Sequence, residues 1–118
     1  MKNLTLHEIL SEILEFRDER DWKQFHRPKD MAISLMLESA EVAENFQWKT
    51  DQETAQLTDC ECQQIGEELA DVLYWTVLIA NDLGVDLASA FQAKMQKNRA
   101  KYPLEKAKGK SLKYTKLS

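Results

Sequence analysis

Two pairs of acidic residues share one spacing in this amino-acid sequence. Glu38 and Glu41 form one pair, and Glu68 and Asp71 form the other. Residues three apart are neighbours on a helix surface, and each pair lies on or beside the apolar stripe of a predicted helix. If the two helices pack together, four carboxylates converge in the groove between them.

Four carboxylates in one groove repel one another, so the pattern predicts a bound cation. Oxygen donors favour Mg²⁺, with Mn²⁺ as a second candidate, over zinc. Di-iron bundle proteins use Glu-x-x-His on facing helices, and neither His7 nor His26 stands at that spacing. The alternative interpretation is that these acids belong to solvated helix faces, since the chain has twenty Asp and Glu residues in all.

Aromatic residues are concentrated in a segment that breaks the helical periodicity, residues 21–29. It contains Trp22, Phe25 and His26. Trp75 stands one turn after the second acid pair, so its ring is expected to form a wall of the same groove. Flat rings beside a metal site suit a nucleobase whose phosphates bind the metal. The alternative is that these tryptophans are core residues.

Two further features come later in the chain. Trp48 ends the second predicted helix, where its ring could fold over the helix end. Lys94, Asn98 and Lys101 form one polar stripe that leads to Tyr102. This stripe is either a solvated surface or a set of contacts to phosphate oxygens.

The apolar periodicity predicts an all-α chain with four long helices. Capping boxes at Thr5 with Glu8 and at Thr58 with Glu61 mark two helix starts, and Gly84 marks one end. The helices are predicted at about 6–20, 28–48, 59–83 and 87–103, with a connection at 50–57 and a Lys-rich tail at 104–118.

Composition narrows the class of protein. A length of 118 residues allows one domain, predicted at 1–103, and three Gly with two Pro are too few for a sandwich or barrel. No apolar run approaches the ~18 residues of a membrane span, so no membrane partner and a cytoplasmic location are expected. Cys60 and Cys62 have no second pair and are expected to be reduced thiols rather than a zinc site.

Charge is distributed unevenly along the chain. The tail holds five Lys against one Glu, a net charge of +4, which leaves −8 on residues 1–103 when the whole chain carries −4. Duplex nucleic acid is therefore not expected as a partner.

The chain resembles the MazG-like nucleotide pyrophosphohydrolases, an all-helical family marked by Glu-x-x-Glu, a spacer and then Glu-x-x-Asp. The similarity is strongest to its dCTP pyrophosphatase branch and spans nearly the whole chain. The matching segments are FRDERDWKQFH from residue 16, ESAEVAENFQWK from residue 38, EELADVLYW from residue 67, KMQKNRAKYP from residue 94 and KYTKL from residue 113.

The resemblance implies Mg²⁺-dependent hydrolysis of a nucleoside triphosphate between its α and β phosphates, with dCTP or a modified dCTP expected in nucleotide-pool house-cleaning. It makes the four motif acids the metal ligands and catalytic residues. It implies a base and sugar pocket formed by Trp22, Lys23, Gln24, Phe25 and His26 with Trp48 and Trp75. The polar stripe adds Lys94, Asn98, Lys101 and Tyr102 to the expected substrate-binding set as phosphate contacts.

The resemblance also implies a four-helix bundle assembled as a homotetramer, a dimer of dimers with sites between subunits. Apolar residues on more than one face of the second and third predicted helices agree with an oligomer. Two positions depart from the branch, which has His and Tyr where this chain has Ile13 and Trp75. The rival hypothesis is a non-catalytic helical assembly or antitoxin-like module.

Overall fold

The computed structural model describes residues 3–117, and no strand occurs within that range, which confirms the all-α prediction. Each of the four predicted long helices is present. The helices are α1 (Leu6–Glu19), α2 (Pro28–Glu44), α3 (Asp51–Thr54), α4 (Asp59–Asp82), α5 (Leu87–Lys101) and α6 (Leu104–Ala107), with 3₁₀ turns at Lys23–Phe25 and Tyr114–Lys116.

Packing divides the chain after Gly84 into two units. In the first unit, α2 and α1 both pack against α4, the longest helix. The second unit contains α5, α6 and the last 3₁₀ turn, and the rings of Tyr102 and Tyr114 meet edge to face within it at 6.1 Å. The buried apolar side chains are Ile13, Met31, Val77, Leu78 and Ala80, all in the first unit.

The helix boundaries follow local hydrogen bonding. Both predicted capping boxes are present, and the hydroxyl oxygens of Thr5 and Thr58 accept from backbone N–H groups three residues on. Leu83 caps the end of α4, and Gly84 adopts the left-handed conformation there (φ +70°) that glycine tolerates best.

Two boundaries differ from the prediction. Helix α2 ends at Glu44 rather than near Trp48, because the Asn45 side chain donates to the Glu41 carbonyl oxygen at 3.0 Å while tight backbone turns follow. The predicted connection after it contains α3, which begins with a third capping box formed by Thr50 and Glu53. That box has the same Thr-x-x-Glu spacing as the other two.

Large apolar side chains remain exposed on both helices of the main packing pair. On α2, Met36 is 62% exposed and Leu37 is 55% exposed, and on α4 Leu69 is 52% exposed. Such faces are typical of surfaces that another protein covers. Within residues 3–117, no helix is both long and apolar enough to cross a bilayer.

Candidate active site

Carboxylate oxygens of Glu38, Glu41 and Glu68 lie within 4.8 Å of one another. The first two are one turn apart on α2, and the third projects from α4, so the packing of these two helices makes the cluster. Asp71 is outside this tight group. It lies one turn after Glu68 and shares a cavity with Glu38.

The electrostatics of the cluster favour protonation in the absence of a cation. The pKa of Glu38 is raised to about 7, first by burial, then by a hydrogen bond between the Glu38 and Glu41 carboxyl groups and by the charges of its acidic neighbours. The pKa of Glu68 is raised too, chiefly by a hydrogen bond with Glu41. Oε2 of Glu38 is buried without a hydrogen-bond partner.

These observations fit a hard divalent cation. The donors are carboxylate oxygens, one of them is buried and unpaired, and none of the ion pairs found among residues 3–117 involves the cluster. An ion placed among them would satisfy the Glu38 oxygen and remove the repulsion that raises these pKa values.

A cavity of about 650 Å³ opens beside the cluster. This volume is in the range of small-molecule sites, roughly 300–1,000 Å³. Helices α1, α2 and α4 contribute walls, and the segment between α1 and α2 contributes two rings. The lining residues are Ile9, Glu12, Ile13, Phe16, Trp22, His26, Glu38, Ala70, Asp71, Leu73, Tyr74 and Trp75.

The rings of the cavity contact one another edge to face. The Trp75 ring lies 5.2 Å from the His26 ring and 5.0 Å from the Tyr74 ring. The Phe16 ring lies 5.6 Å from Trp22 and 6.3 Å from Tyr74. Such edge contacts hold rings in fixed orientations, so these aromatic walls are supported by other aromatic residues.

His26 is half-buried in this wall, and its Nδ1 has no hydrogen-bond partner. Burial and the positive charge of Arg17 lower its pKa, although Asp82 opposes the shift. A neutral imidazole has one donor nitrogen and one acceptor nitrogen. The buried Nδ1 of His26 therefore has a hydrogen-bonding capacity that no described residue satisfies.

Three comparisons place this architecture among known proteins. Residues 33–117 match the model of the MazG-like family. The chain belongs to the MazG-like family. The predicted resemblance to that family is therefore confirmed.

This MazG-like chain is 44% identical over 115 residues to dCTP pyrophosphatase 1 from Homo sapiens, with 96% of the chain and 68% of that protein covered. It is 41% identical to dCTP pyrophosphatase 1 from Bos taurus with the same coverage. A crystal structure of a pyrophosphatase from Archaeoglobus fulgidus superposes with a TM-score of 0.78 at 34% identity, covering 87% of this chain and 96% of that one. The prediction of an enzyme, a hydrolase, is confirmed.

Some of the predicted base-binding residues of the MazG-like chain line the cavity, and the others do not. Trp22, His26 and Trp75 line the cavity. Lys23, Gln24 and Phe25 form an exposed 3₁₀ turn and are not lining residues. The Gln24 amide instead donates to the carbonyl and carboxylate oxygens of Asp21. Trp48 is 86% exposed in the turn after α2 and is also outside the lining.

The predicted phosphate-contacting residues belong to the second unit. Lys94, Asn98 and Lys101 are on α5, and Tyr102 caps its end. The Lys101 ammonium group lies 4.8 Å from the centre of the Tyr114 ring, and Tyr114 also meets Tyr102. Their contact with phosphate remains a prediction.

Sequence analysis missed most of the contribution of α1 to the cavity. Ile13 was linked to the pocket only as a position that departs from the dCTP pyrophosphatase branch, and Ile9, Glu12, Phe16 and Tyr74 were given no role there. The signal was present in the spacing, because Ile9, Ile13 and Phe16 recur at four and three residues and share one helix face.

Proposed function

We propose that this MazG-like hydrolase converts a deoxynucleoside triphosphate, dCTP or a modified dCTP, to its monophosphate and pyrophosphate. The reaction depends on Mg²⁺, with Mn²⁺ as a substitute, and serves to cleanse the cytoplasmic nucleotide pool. The observation that carries the proposal is the position of the carboxylate cluster, which adjoins a cavity with aromatic walls. Relatives that are dCTP pyrophosphatases support the choice of base.

Glu38, Glu41, Glu68 and Asp71 would hold the metal. When bound, Mg²⁺ would supply charge neutralisation at the phosphate oxygens, a lowered pKa for a nearby water and stabilisation of the leaving pyrophosphate. The carboxylates would orient the attacking water against the α phosphate. One motif carboxylate, or Glu44 one turn further along α2, accepts the proton of the water; the charge of Glu44 already acts on Glu68, whose pKa it helps to raise.

The cavity orients the rest of the nucleotide. Trp22 and His26 contact the base, and Trp75, which shares a face of α4 with Asp71, contacts the sugar. The phosphates then lie toward the acidic end of the cavity, where Glu38 and Asp71 contribute to the lining. Lys94 and Lys101 carry positive charges and Asn98 and Tyr102 carry hydrogen-bond donors, groups that suit phosphate oxygens, and their contact with the substrate remains a prediction from the sequence.

The proposed enzyme works as a homo-oligomer, a dimer of dimers. The exposed apolar side chains on α2 and α4, among them Met36 and Leu37, support this assembly, because their burial gives roughly 25 cal/mol for each Å² removed from water. Sedimentation velocity at micromolar concentration tests the assembly. An active monomer would contradict it.

One experiment tests the activity. Pyrophosphate release is measured with a panel of dNTPs in the presence of Mg²⁺, Mn²⁺ or EDTA, using wild type, Glu68→Gln and the matched control Glu67→Gln, an exposed neighbour outside the cluster. We expect metal-dependent release of pyrophosphate that Glu68→Gln abolishes and Glu67→Gln preserves. If no nucleotide is hydrolysed with either metal, the chain is instead a non-catalytic helical assembly or an antitoxin-like module.

A further inference from the structure

One wall of the cavity comes from a single face of α1. Ile9, Glu12, Ile13 and Phe16 all line the cavity, and their spacing of three, one and three residues puts them on that face. Three of the four are apolar. Glu12 is the exception, an exposed carboxylate in an otherwise apolar wall.

The Glu12 carboxylate makes no hydrogen bond and no ion pair with any residue in the range 3–117. Glu15 and Asp18 of α1 likewise have no side-chain partner in that range, whereas Glu8 completes the capping box with Thr5 and Glu19 lies 3.9 Å from the guanidinium group of Arg20. Glu12 differs from Glu15 and Asp18 because it lines the cavity. An ionised carboxylate only accepts hydrogen bonds. A ligand group that pairs with Glu12 must therefore be a hydrogen-bond donor.

The other polar groups of the cavity have different positions. Glu38 and Asp71 belong to the acidic end, and His26 and Tyr74 belong to the aromatic wall. Glu12 is thus the one charged group among the lining residues outside the acidic end. If the phosphates lie at the acidic end, the group that faces Glu12 is part of the base.

We propose that Glu12 is a specificity-determining residue that accepts a hydrogen bond from the exocyclic amine of the base. This inference rests on the proposed function. Cytosine has an amine at C4, whereas thymine has a carbonyl oxygen there, which a carboxylate repels. Glu12 therefore favours cytosine over thymine.

The test compares Glu12→Gln with Glu15→Gln, a matched control because Glu15 is exposed on the same helix and is not a lining residue. A glutamine amide can donate to thymine O4 as well as accept from cytosine, so the preference should collapse. We expect the ratio of kcat/KM for dCTP to that for dTTP to fall about 10-fold or more in Glu12→Gln, and to stay unchanged in Glu15→Gln.

A second variant and a second substrate isolate the hydrogen bond. N4,N4-dimethyl-dCTP has no amine hydrogen, so wild type should hydrolyse it with a kcat/KM at least about 10-fold below that for dCTP. Glu12→Leu, which removes the acceptor, should treat the two nucleotides alike. Equal use of both nucleotides by wild type would overturn the inference.

Binding of the α,β-imido analogues of dCTP and dTTP, measured by calorimetry, separates this inference from the proposed function. If wild type and Glu12→Gln both hydrolyse dNTPs with the same base preference, the role of Glu12 is overturned and the proposed function is supported. Amine-selective binding that Glu12→Gln removes, without hydrolysis of any dNTP, supports the role of Glu12 and overturns the function. A failure of wild type to bind either analogue overturns both.

Discussion

The guanidinium group of Arg17 donates two hydrogen bonds to the Asp82 carboxylate, at 2.8 and 3.0 Å. This pair joins α1 to the end of α4, and Arg17 is only 2% exposed. The hydrogen bonds to Arg17 hold the pKa of Asp82 below its usual range. The positive charge of Arg17 also acts on His26 and Tyr74, two residues of the aromatic wall. Burial lowers the pKa of His26 and Arg17 lowers it further, whereas burial raises the pKa of Tyr74 and Arg17 opposes that rise.

The first prediction concerns this buried pair. Arg17→Leu leaves the Asp82 carboxylate without its partner in a partly buried site, and we expect the free energy of unfolding to fall by about 3–5 kcal/mol. Adding Asp82→Leu should recover much of the loss, since no unpaired charge remains. Urea denaturation measures both. The control Glu19→Gln removes an exposed acid and should change stability by less than about 0.5 kcal/mol.

The second prediction concerns the metal ligands. Glu38→Gln and Asp71→Asn should keep the helical circular dichroism spectrum but lower kcat by orders of magnitude, because each replaces a carboxylate ligand with a neutral amide. Glu67→Gln is the control and should behave as wild type. Full activity in both ligand variants would show that the carboxylates do not bind the metal.

The third prediction concerns pH in the metal-free protein. Glu38 has a pKa of about 7 when folded and an ordinary value of 4.5, so between these pH values the folded state holds a proton that the unfolded state has lost. Stability therefore decreases as pH rises from 4.5 to 7 and is level above that range. Thermal unfolding in EDTA should show this slope in wild type and a weaker slope in Glu38→Gln. A melting temperature that rises with pH in this interval would contradict it.

The sequence predicts the long helices well because their signals are local. Three capping boxes have the same Thr-x-x-Glu pattern. The box at Thr50 was not predicted because the helix that it begins has only four residues, too few to show an apolar period. The end of α2 was missed because it depends on the Asn45 side chain bonding back to the helix, a contact that an apolar period does not encode.

The candidate site was predictable in part for a similar reason. Glu38 and Glu68 carry a helical spacing that indicates a shared face, and α2 and α4 do bring them together. The wall from α1 depends on how that helix packs on α4, a tertiary contact between residues far apart in the sequence. The pairing of Arg17 with Asp82, 65 positions away, has the same origin.

The fourth prediction separates two tryptophans. Trp22→Ala removes a ring that lines the cavity and should weaken nucleotide binding by about 1–3 kcal/mol, seen mainly as a higher KM. Trp48→Ala should have the same effect if the exposed ring serves the site of a neighbouring subunit. Mixed oligomers of Trp48→Ala and Glu38→Gln chains should then regain sites with a normal KM. No change in KM for either variant would remove both rings from the base pocket.

The fifth prediction concerns the sugar. Trp75 is one turn from Asp71 on α4, so its ring should lie against the ribose. We expect Trp75→Tyr to change the ratio of dNTP to NTP hydrolysis more than the ratio among bases. Steady-state kinetics with dCTP, CTP and dTTP measure both ratios, and a change confined to the base ratio would place Trp75 against the base instead.

Helix α4 runs without interruption from Asp59 to Asp82, and this continuity has a consequence for how the enzyme can evolve. Asp71 and Trp75 are separated by one rigid turn, about 6 Å along the axis, so the spacing between the acidic end and the ring is fixed by the backbone. Most of the other cavity walls come from α1 and the segment that follows it. Under the proposed function, substitutions there would alter which base is accepted and would leave the acidic end unchanged, so base preference would evolve separately from catalysis.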